Sequence, residues 1–307
     1  MSEPSERHES GSTRIAFIVA GLVIALVGGF GLGRLTGGDT AARPTPAVAA
    51  PTSTADHTHT PGTGPHVHST GATGTTAGAA AGGLEISASG YTLVPEATAL
   101  TAGRAGELAF QIVDAGQRPV TNFAIVHDKP LHLIVVRRDL TGYQHLHPTM
   151  AADGRWSVPL TLREPGVWRA YADFTASAPA GQTAVTLGTD LTVRGDYAPR
   201  ALPEAATRAT VDGFTVSYQG TPRTGATQPM LFTVAPGVRL ERYLGAYGHL
   251  VVLREGDLGY VHVHPEPELA SGAVKFWLSV PSAGRYRMYF DFQVGGKVHT
   301  AEFTLRV

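Results

Sequence analysis

The chain has 307 residues, a formal net charge of −1, 13 histidines and no cysteine. A charge balance this close to neutral argues against nucleic-acid binding, and the lack of cysteine excludes disulfides, thiolate metal sites, a thiol nucleophile and a lipidated anchor cysteine. The length accommodates about two domains of ordinary size, each with its own core.

Residues 1–14 read as a cytoplasmic tail. They precede "IAFIVAGLVIALVGGFGLG", an uncharged apolar run of 19 residues from Ile15 to Gly33. That length is close to the roughly 20 residues a helix needs to cross a bilayer, so residues 15–34 are expected to form one transmembrane helix with the bulk of the chain extracytoplasmic. A cleaved signal peptide is the competing reading. Ala47 and Ala49 supply an A-x-A pattern, but it lies well beyond the apolar run and Pro51 follows it closely.

Residues 35–83 are dominated by Thr, Ala, Gly and Pro, with almost nothing apolar and large enough to offset ordering entropy, and are expected to be a disordered linker. Within it "DHTHT" and "PHVHS" place His57, His59, His66 and His68 in two pairs, a composition that suits metal binding. A flexible spacer of this length spans about 35–40 Å, enough to return these histidines to whatever follows.

From Leu84 onward short β-type runs ("ELAFQIVD", "HLIVVR", "VWRAYADF", "MLFTVAP", "RYRMYFDF", "AEFTLRV") alternate with turn residues, and no helical period intervenes. The expectation is all-β: two tandem Ig-like or cupredoxin-like β-sandwiches. The text also repeats. "LHLIVVRRDLTGYQHLHP" (Leu131 to Pro148) returns 117 positions later as "GHLVVLREGDLGYVHVHP" (Gly248 to Pro265), and "PGVWRAYADF" returns as "AGRYRMYFDF". Two copies of one domain are therefore expected at 84–195 and 208–307.

The histidines are what the repeat preserves. A turn centred between residues 139 and 140, and in the second copy on Gly256-Asp257, makes His132 face His147 and His249 face His264. Residues two apart on a strand share a face, so His145 and His262 join them. Three imidazoles on one side of a hairpin make poor core and good metal ligands. Asp173 and Asp291, at the ends of "YADF" and "YFDF", are a fourth candidate pair, as ligands or as carboxylates that orient a ligating histidine; the alternative is that they pair with Arg169 and Arg287. His127, whose register holds Leu244 in the second copy, and His299 are expected to be peripheral. Without thiolates and with little methionine, imidazole plus carboxylate suits Cu(II) or Zn(II).

The motif "HLIVVRRDLTGYQHLHP", followed by "YADF", resembles that of bacterial, largely actinobacterial, membrane-anchored or secreted heavy-metal-binding proteins, some of them associated with copper handling. The resemblance implies extracytoplasmic metal binding through His132, His145, His147, His249, His262 and His264. Gly248 departs from it, standing where an apolar residue is expected. Two other readings stay open. One is an Ig-like cell-surface interaction module whose histidines are structural. The other is a cupin-like His-metal enzyme, for which His262, His264 and Glu268 have the right spacing, although the first copy has no such Glu. The expectation is thus a metal-binding protein rather than an enzyme, with a metal-transport protein as a further partner.

Overall fold

The computed structural model describes residues 81–307, apart from Pro236, His262 and the side chain of His264. The expected tail and transmembrane helix, and all but the end of the expected linker, lie outside the described residues. Among the described residues no helix is long and apolar enough to cross a membrane.

The described chain is all-β and forms two tandem sandwiches. Repeat 1 contains β1 (Ser87–Ala88), β2 (Tyr91–Pro95), β3 (Ala99–Leu100), β4 (Gly106–Asp114), β5 (Leu131–Arg137), β6 (Gln144–Leu146), β7 (Thr149–Met150), β8 (Arg155–Leu160), β9 (Gly166–Ala178) and β10 (Gly181–Val193). Repeat 2 contains β11 (Arg208–Val211), β12 (Phe214–Gln219), β13 (Gln228–Val234), β14 (His249–Arg254), β15 (Tyr260–Val261), β16 (Val263–Pro265), β17 (Val274–Leu278), β18 (Arg285–Val294) and β19 (Lys297–Arg306). The first sandwich pairs the sheets β1-β2-β4-β8-β7 and β3-β10-β9-β5-β6; the second pairs β11-β12-β13-β17-β16 and β15-β14-β18-β19.

Side-chain alternation along a strand explains how the repeats meet. β5 is buried at every position, so both of its faces must be covered. Leu131, Leu133 and Val135 point into the core of repeat 1, around Trp156 and Leu187. Ile134 and Val136, with Tyr171 of β9, point the other way and meet Val251 and Leu253 of β14 and Tyr289 of β18 in a separate cluster. Leu250 and Val252 meanwhile fill the core of repeat 2 with Phe276 and Phe290. The sheets carrying the repeated histidine motif are therefore packed face to face. Each such buried side chain contributes about 1.5–3 kcal/mol, so the apolar cluster is a main contributor to holding the repeats together.

The contact is reciprocal. The Tyr171 hydroxyl donates to the carbonyl of Leu258 at 2.6 Å, and the Tyr289 hydroxyl donates to the carbonyl of Leu140 at 2.7 Å. Tyr143 donates to Asp291 at 3.1 Å, and Tyr260, its counterpart, hydrogen-bonds Asp173. These two pairs of bonds are each returned by the equivalent residue, as in a two-fold interface between identical subunits, whereas Arg138, which donates to the carbonyl of Gly256 at 3.1 Å, has Glu255 as its counterpart. The end of the linker is drawn in too, since Gly82 exchanges both backbone hydrogen bonds with Tyr260 at 2.8 and 3.0 Å.

The hairpin register that brings the histidines together is seen directly: Leu133 faces Leu146 and Ile134 faces His145, and in repeat 2 Val252 faces Val261. The connection differs from the two-residue turn expected at Gly256-Asp257. Arg254 donates its N–H to the carbonyl of Gly259, leaving the four residues Glu255 to Leu258 as the loop. Its Leu258, at φ 64°, carries the carbonyl that Tyr171 needs. In repeat 1 Gly142 turns the chain at φ 68°, where a Cβ would lie 2.5 Å from the Trp168 ring, so only glycine fits.

Candidate metal centre

Alternation sends His132 to the same face as Ile134 and Val136, toward repeat 2. His145 faces Ile134 across the hairpin, and His147, two residues on, shares its side. The available nitrogens of His132, His145 and His147 all lie within 4.8 Å of one another. On β14 the same alternation aims His249 back at repeat 1. Its ring centre is 5.2 Å from that of His132, with the planes at 10°, and 4.7 Å from that of His145.

Among the described residues His249 therefore lies beside the histidines of repeat 1, whereas the sequence grouped it with those of its own repeat. His249 belongs to the cluster of repeat 1, because the two histidine-bearing sheets pack on each other. His262 and the side chain of His264 lie outside the described residues.

His127 is a second correction. It sits at φ 49° and the next residue, Asp128, at φ 60°, in a tight turn closed by hydrogen bonds between Val126 and Lys129 of 2.9 and 3.1 Å. The turn swings the His127 ring to 6.1 Å from His132 and 5.5 Å from His249, into the cluster rather than its periphery. Comparing the copies hid this, because the equivalent turn of repeat 2 carries Leu244. The available signal was the dipeptide His-Asp, two residue types that tolerate positive φ. His299 lies elsewhere, against Phe214 and Phe292, with Nδ1 2.7 Å from Asp212.

The two aspartates flank the cluster without joining the close ligand set. Asp291 is the strand neighbour of His249, and Asp173 that of His132. Asp291 is 1% exposed. It accepts from His145 Nδ1 at 2.9 Å, Tyr143 at 3.1 Å and Thr300 at 2.6 Å. Asp173 accepts from Thr186 at 2.7 Å and is bonded to Tyr260. Arg169 reaches Asp190, and Arg287 reaches Glu302 and Thr304. Glu268, which completed the cupin-like spacing, is paired with Arg242 on the surface.

Proton bookkeeping defines what the cluster can do. His132 Nε2 lies 3.1 Å from the carbonyl of Val126, which only accepts, so Nε2 carries the proton and Nδ1 is bare in the neutral ring. His145 Nδ1 faces the Asp291 carboxylate, which only accepts, so Nδ1 carries a proton. His145 Nε2 lies 3.0 Å from His132 Nδ1, within hydrogen-bond distance. His147 Nε2 is buried with no hydrogen-bond partner among the described residues. Burial, and then the nearby His145, push His132 down to about 4. Burial, followed by His145 and His132, takes His147 down to about 3. His249 is driven well below its ordinary value by burial and then by His145. Three of the rings, His132, His147 and His249, are thus held toward the neutral form, in which each has a lone pair to offer a cation. Ligating nitrogens at about 2.0–2.1 Å from a tetrahedral ion stand about 3.3 Å apart, close to the 3.0 Å between His132 Nδ1 and His145 Nε2, while all three histidines of repeat 1 keep their nitrogens within 4.8 Å.

A family model described as "Domain of unknown function (DUF8832)" matches the chain twice, over residues 86–191 and 209–307. No curated protein matches the chain. Among solved structures it is similar to the FdeC adhesin of Escherichia coli, at 16% identity and a TM-score of 0.23, covering 72% of this chain and 65% of that one. It is similar to the InvE adhesin of Yersinia pseudotuberculosis, at 12% identity and a TM-score of 0.22, covering 73% of this chain and 60% of that one. A DUF4785 family protein of Legionella pneumophila matches at 9% identity and a TM-score of 0.26, covering 71% of this chain and 56% of that one. The chain spans less than two thirds of the length of each of the three. Likenesses of this strength carry no argument about what it does.

Proposed function

The chain belongs to the DUF8832 family, whose domain it carries twice, and we propose that here the paired domains bind a divalent transition metal, Cu(II) or Zn(II), at the histidine cluster. The observation that carries this reading is the convergence of His132, His145 and His147, whose ligand nitrogens all lie within 4.8 Å of one another. Imidazole nitrogen suits both ions, and the carboxylate behind His145 is the kind of support that metal-bound histidines receive. The apolar run at residues 15–34 would hold the domains outside the cytoplasm on a membrane anchor. The role is binding and handling of the ion, with a transport protein to supply or receive it, and not turnover of a substrate.

The test is the metal content of the purified full chain, then titration with Cu(II) and Zn(II) against a chelator of known affinity. Stoichiometric binding is expected, and changing His145 and His147 to Ala should weaken it at least 100-fold. Equal binding by the wild type and this variant would sink the reading.

A second reading has one observation in its favour: His145 of repeat 1 donates to Asp291 of repeat 2, so the histidines help tie a surface interaction module together. In that case the same variant loses thermal stability in metal-free buffer, and neither protein takes up metal.

The linker histidines give a kinetic prediction. His68 stands 14 residues before Gly82, which is anchored on Tyr260 beside Asp173. A flexible segment of that length spans about 20 Å and would raise the local metal concentration without adding contacts. Deleting residues 52–70 should slow loading several-fold in stopped-flow measurements and leave the equilibrium affinity alone. An unchanged rate would make the segment a plain spacer.

A further inference from the structure

Reading the cluster as a metal site leaves open which repeat supplies the ligands. We propose that the site is composite: His132, His145 and His147 of repeat 1 bind the ion together with His249 of repeat 2, and Asp291 of repeat 2 is the positioning residue for His145. This inference rests on the metal-binding reading and specifies its coordination.

Spacing is the first argument. Imidazoles bound through bonds of about 2.0–2.1 Å to one tetrahedral ion have ring centres about 5 Å apart. The measured separations are 5.3 Å for His132 and His145, 5.1 Å for His132 and His147, and 4.8 Å for His145 and His147. His249 keeps the same spacing, 5.2 Å to His132 and 4.7 Å to His145. A ring packed merely to fill space need not match the other three.

Position is the second. His249 and His132 are equivalent residues of the two repeats, and their near-parallel rings meet where the reciprocal interface brings the two motifs together. His249 would add a fourth imidazole to the three whose nitrogens lie within 4.8 Å of one another, a set that favours Cu(II) or Zn(II) over hard cations, which take oxygen ligands.

The third is the proton on His145. The ring can present Nε2 to the ion only while Nδ1 keeps its hydrogen, and the acceptor that fixes this tautomer belongs to repeat 2. Asp291 is itself fixed by Tyr143 and Thr300, so it cannot swing away without leaving buried donors unmatched. The triad of repeat 1 is therefore competent only while repeat 2 is docked on it, and an ion bound there adds to the docking.

The test uses the full chain with His262→Ala and His264→Ala, so that these two residues add no ligands, and Zn(II) or Cu(II) as the probe. X-ray absorption at the metal edge should count four imidazoles, falling to three in His249→Ala with affinity reduced about 10–100-fold. Asp291→Asn should keep four imidazoles and lose about 10–100-fold in affinity, and Asp291→Glu should recover part of it, whereas Asp190→Asn, at an exposed ion pair, should change neither. Three imidazoles in the parent chain, or His249→Ala and Asp291→Asn both within twofold of it, would overturn the proposal even though metal binds. Should His249→Ala fail to fold, His249→Gln takes its place, and a count that stays at four in that variant would overturn the proposal. If the wild-type chain binds neither ion, the metal-binding reading itself fails, and this inference with it.

Discussion

Lowering the pH from 7 to 5 is expected to destabilise the metal-free chain steeply, well before its carboxylates are protonated. In an unfolded chain histidine titrates near 6.5. Folding takes His132 down to about 4 and His147 down to about 3, and His249 well below 6.5, in each case first through burial and next through His145. Below pH 6.5 the unfolded state therefore binds protons that the folded state refuses. The stability is complete above 6.5 and is lost progressively as the pH falls from there toward 4 and 3. Each histidine contributes a slope of about 1.4 kcal/mol per pH unit, so three approach about 4 kcal/mol per unit, against a total stability of about 5–15 kcal/mol. Asp139 and Asp257 are held below the usual carboxylate range, so their contribution is lost only at still lower pH. The window between 6.5 and 4 thus reports on the cluster. Urea midpoints measured in the presence of a chelator should fall across it, and His132→Gln combined with His249→Gln should flatten the fall. Saturating Zn(II) should move the onset to lower pH, because metal and protons compete for the same lone pairs. A midpoint that is flat from pH 7 to 5 would mean that the rings are not buried as described.

Much of this arrangement was legible in the sequence, and what was missed has a physical cause. The period-2 alternation and the constant spacing of the two motifs define the strands, the repeat and the hairpin register that sets Ile134 opposite His145. The runs "LHLIVVR" and "HLVVLR" are apolar at consecutive positions, which requires both faces of β5 and β14 to be covered. Local pattern does not name the partner that covers the second face. Here that partner is the other repeat, and the surroundings of His249 and Asp291 follow from it. His249 lies with the histidines of repeat 1, and Asp291 accepts from His145 of the opposite repeat as well as from Thr300 of its own. His127 enters the cluster through backbone geometry with positive φ, which its counterpart Leu244 shares without sharing the chemistry. The reciprocal contacts also account for the retained tyrosines: Tyr143 and Tyr260 bond the aspartate of the opposite repeat.

The retained arginines give the other large expected effect. Arg137 and Arg254 end equivalent strands, and each grips an aspartate of the following loop, Asp139 or Asp257. The sequence makes the two look alike, but their surroundings differ. Arg137 and Asp139 have side chains only 2% and 3% exposed. The guanidinium donates to the carboxylate at 3.0 and 2.7 Å and to Thr141 at 3.2 Å, while the N–H of Arg200, in the segment between the repeats, donates to Asp139 at 2.9 Å. Burial pushes Asp139 up, yet Arg137, the Arg200 N–H and Thr141 together hold it below its ordinary value. Removing one partner leaves a buried charge uncompensated, so Arg137→Met should cost about 3–5 kcal/mol in chemical denaturation. Replacing both residues, as in Arg137→Met with Asp139→Leu, should restore much of the loss, because the desolvation cost of the pair disappears along with its attraction. In repeat 2 the side chains are 22% and 42% exposed, solvent screens the pair, and Arg254→Met should cost less than about 1 kcal/mol. The first loop also carries Leu140, whose carbonyl accepts from Tyr289, so Arg137→Met should loosen the docking of the repeats and with it the hold of Asp291 on His145. Metal affinity is therefore expected to fall in Arg137→Met and to stay unchanged in Arg254→Met. Equal stability losses at the two arginines would show that the burial difference does not govern these loops.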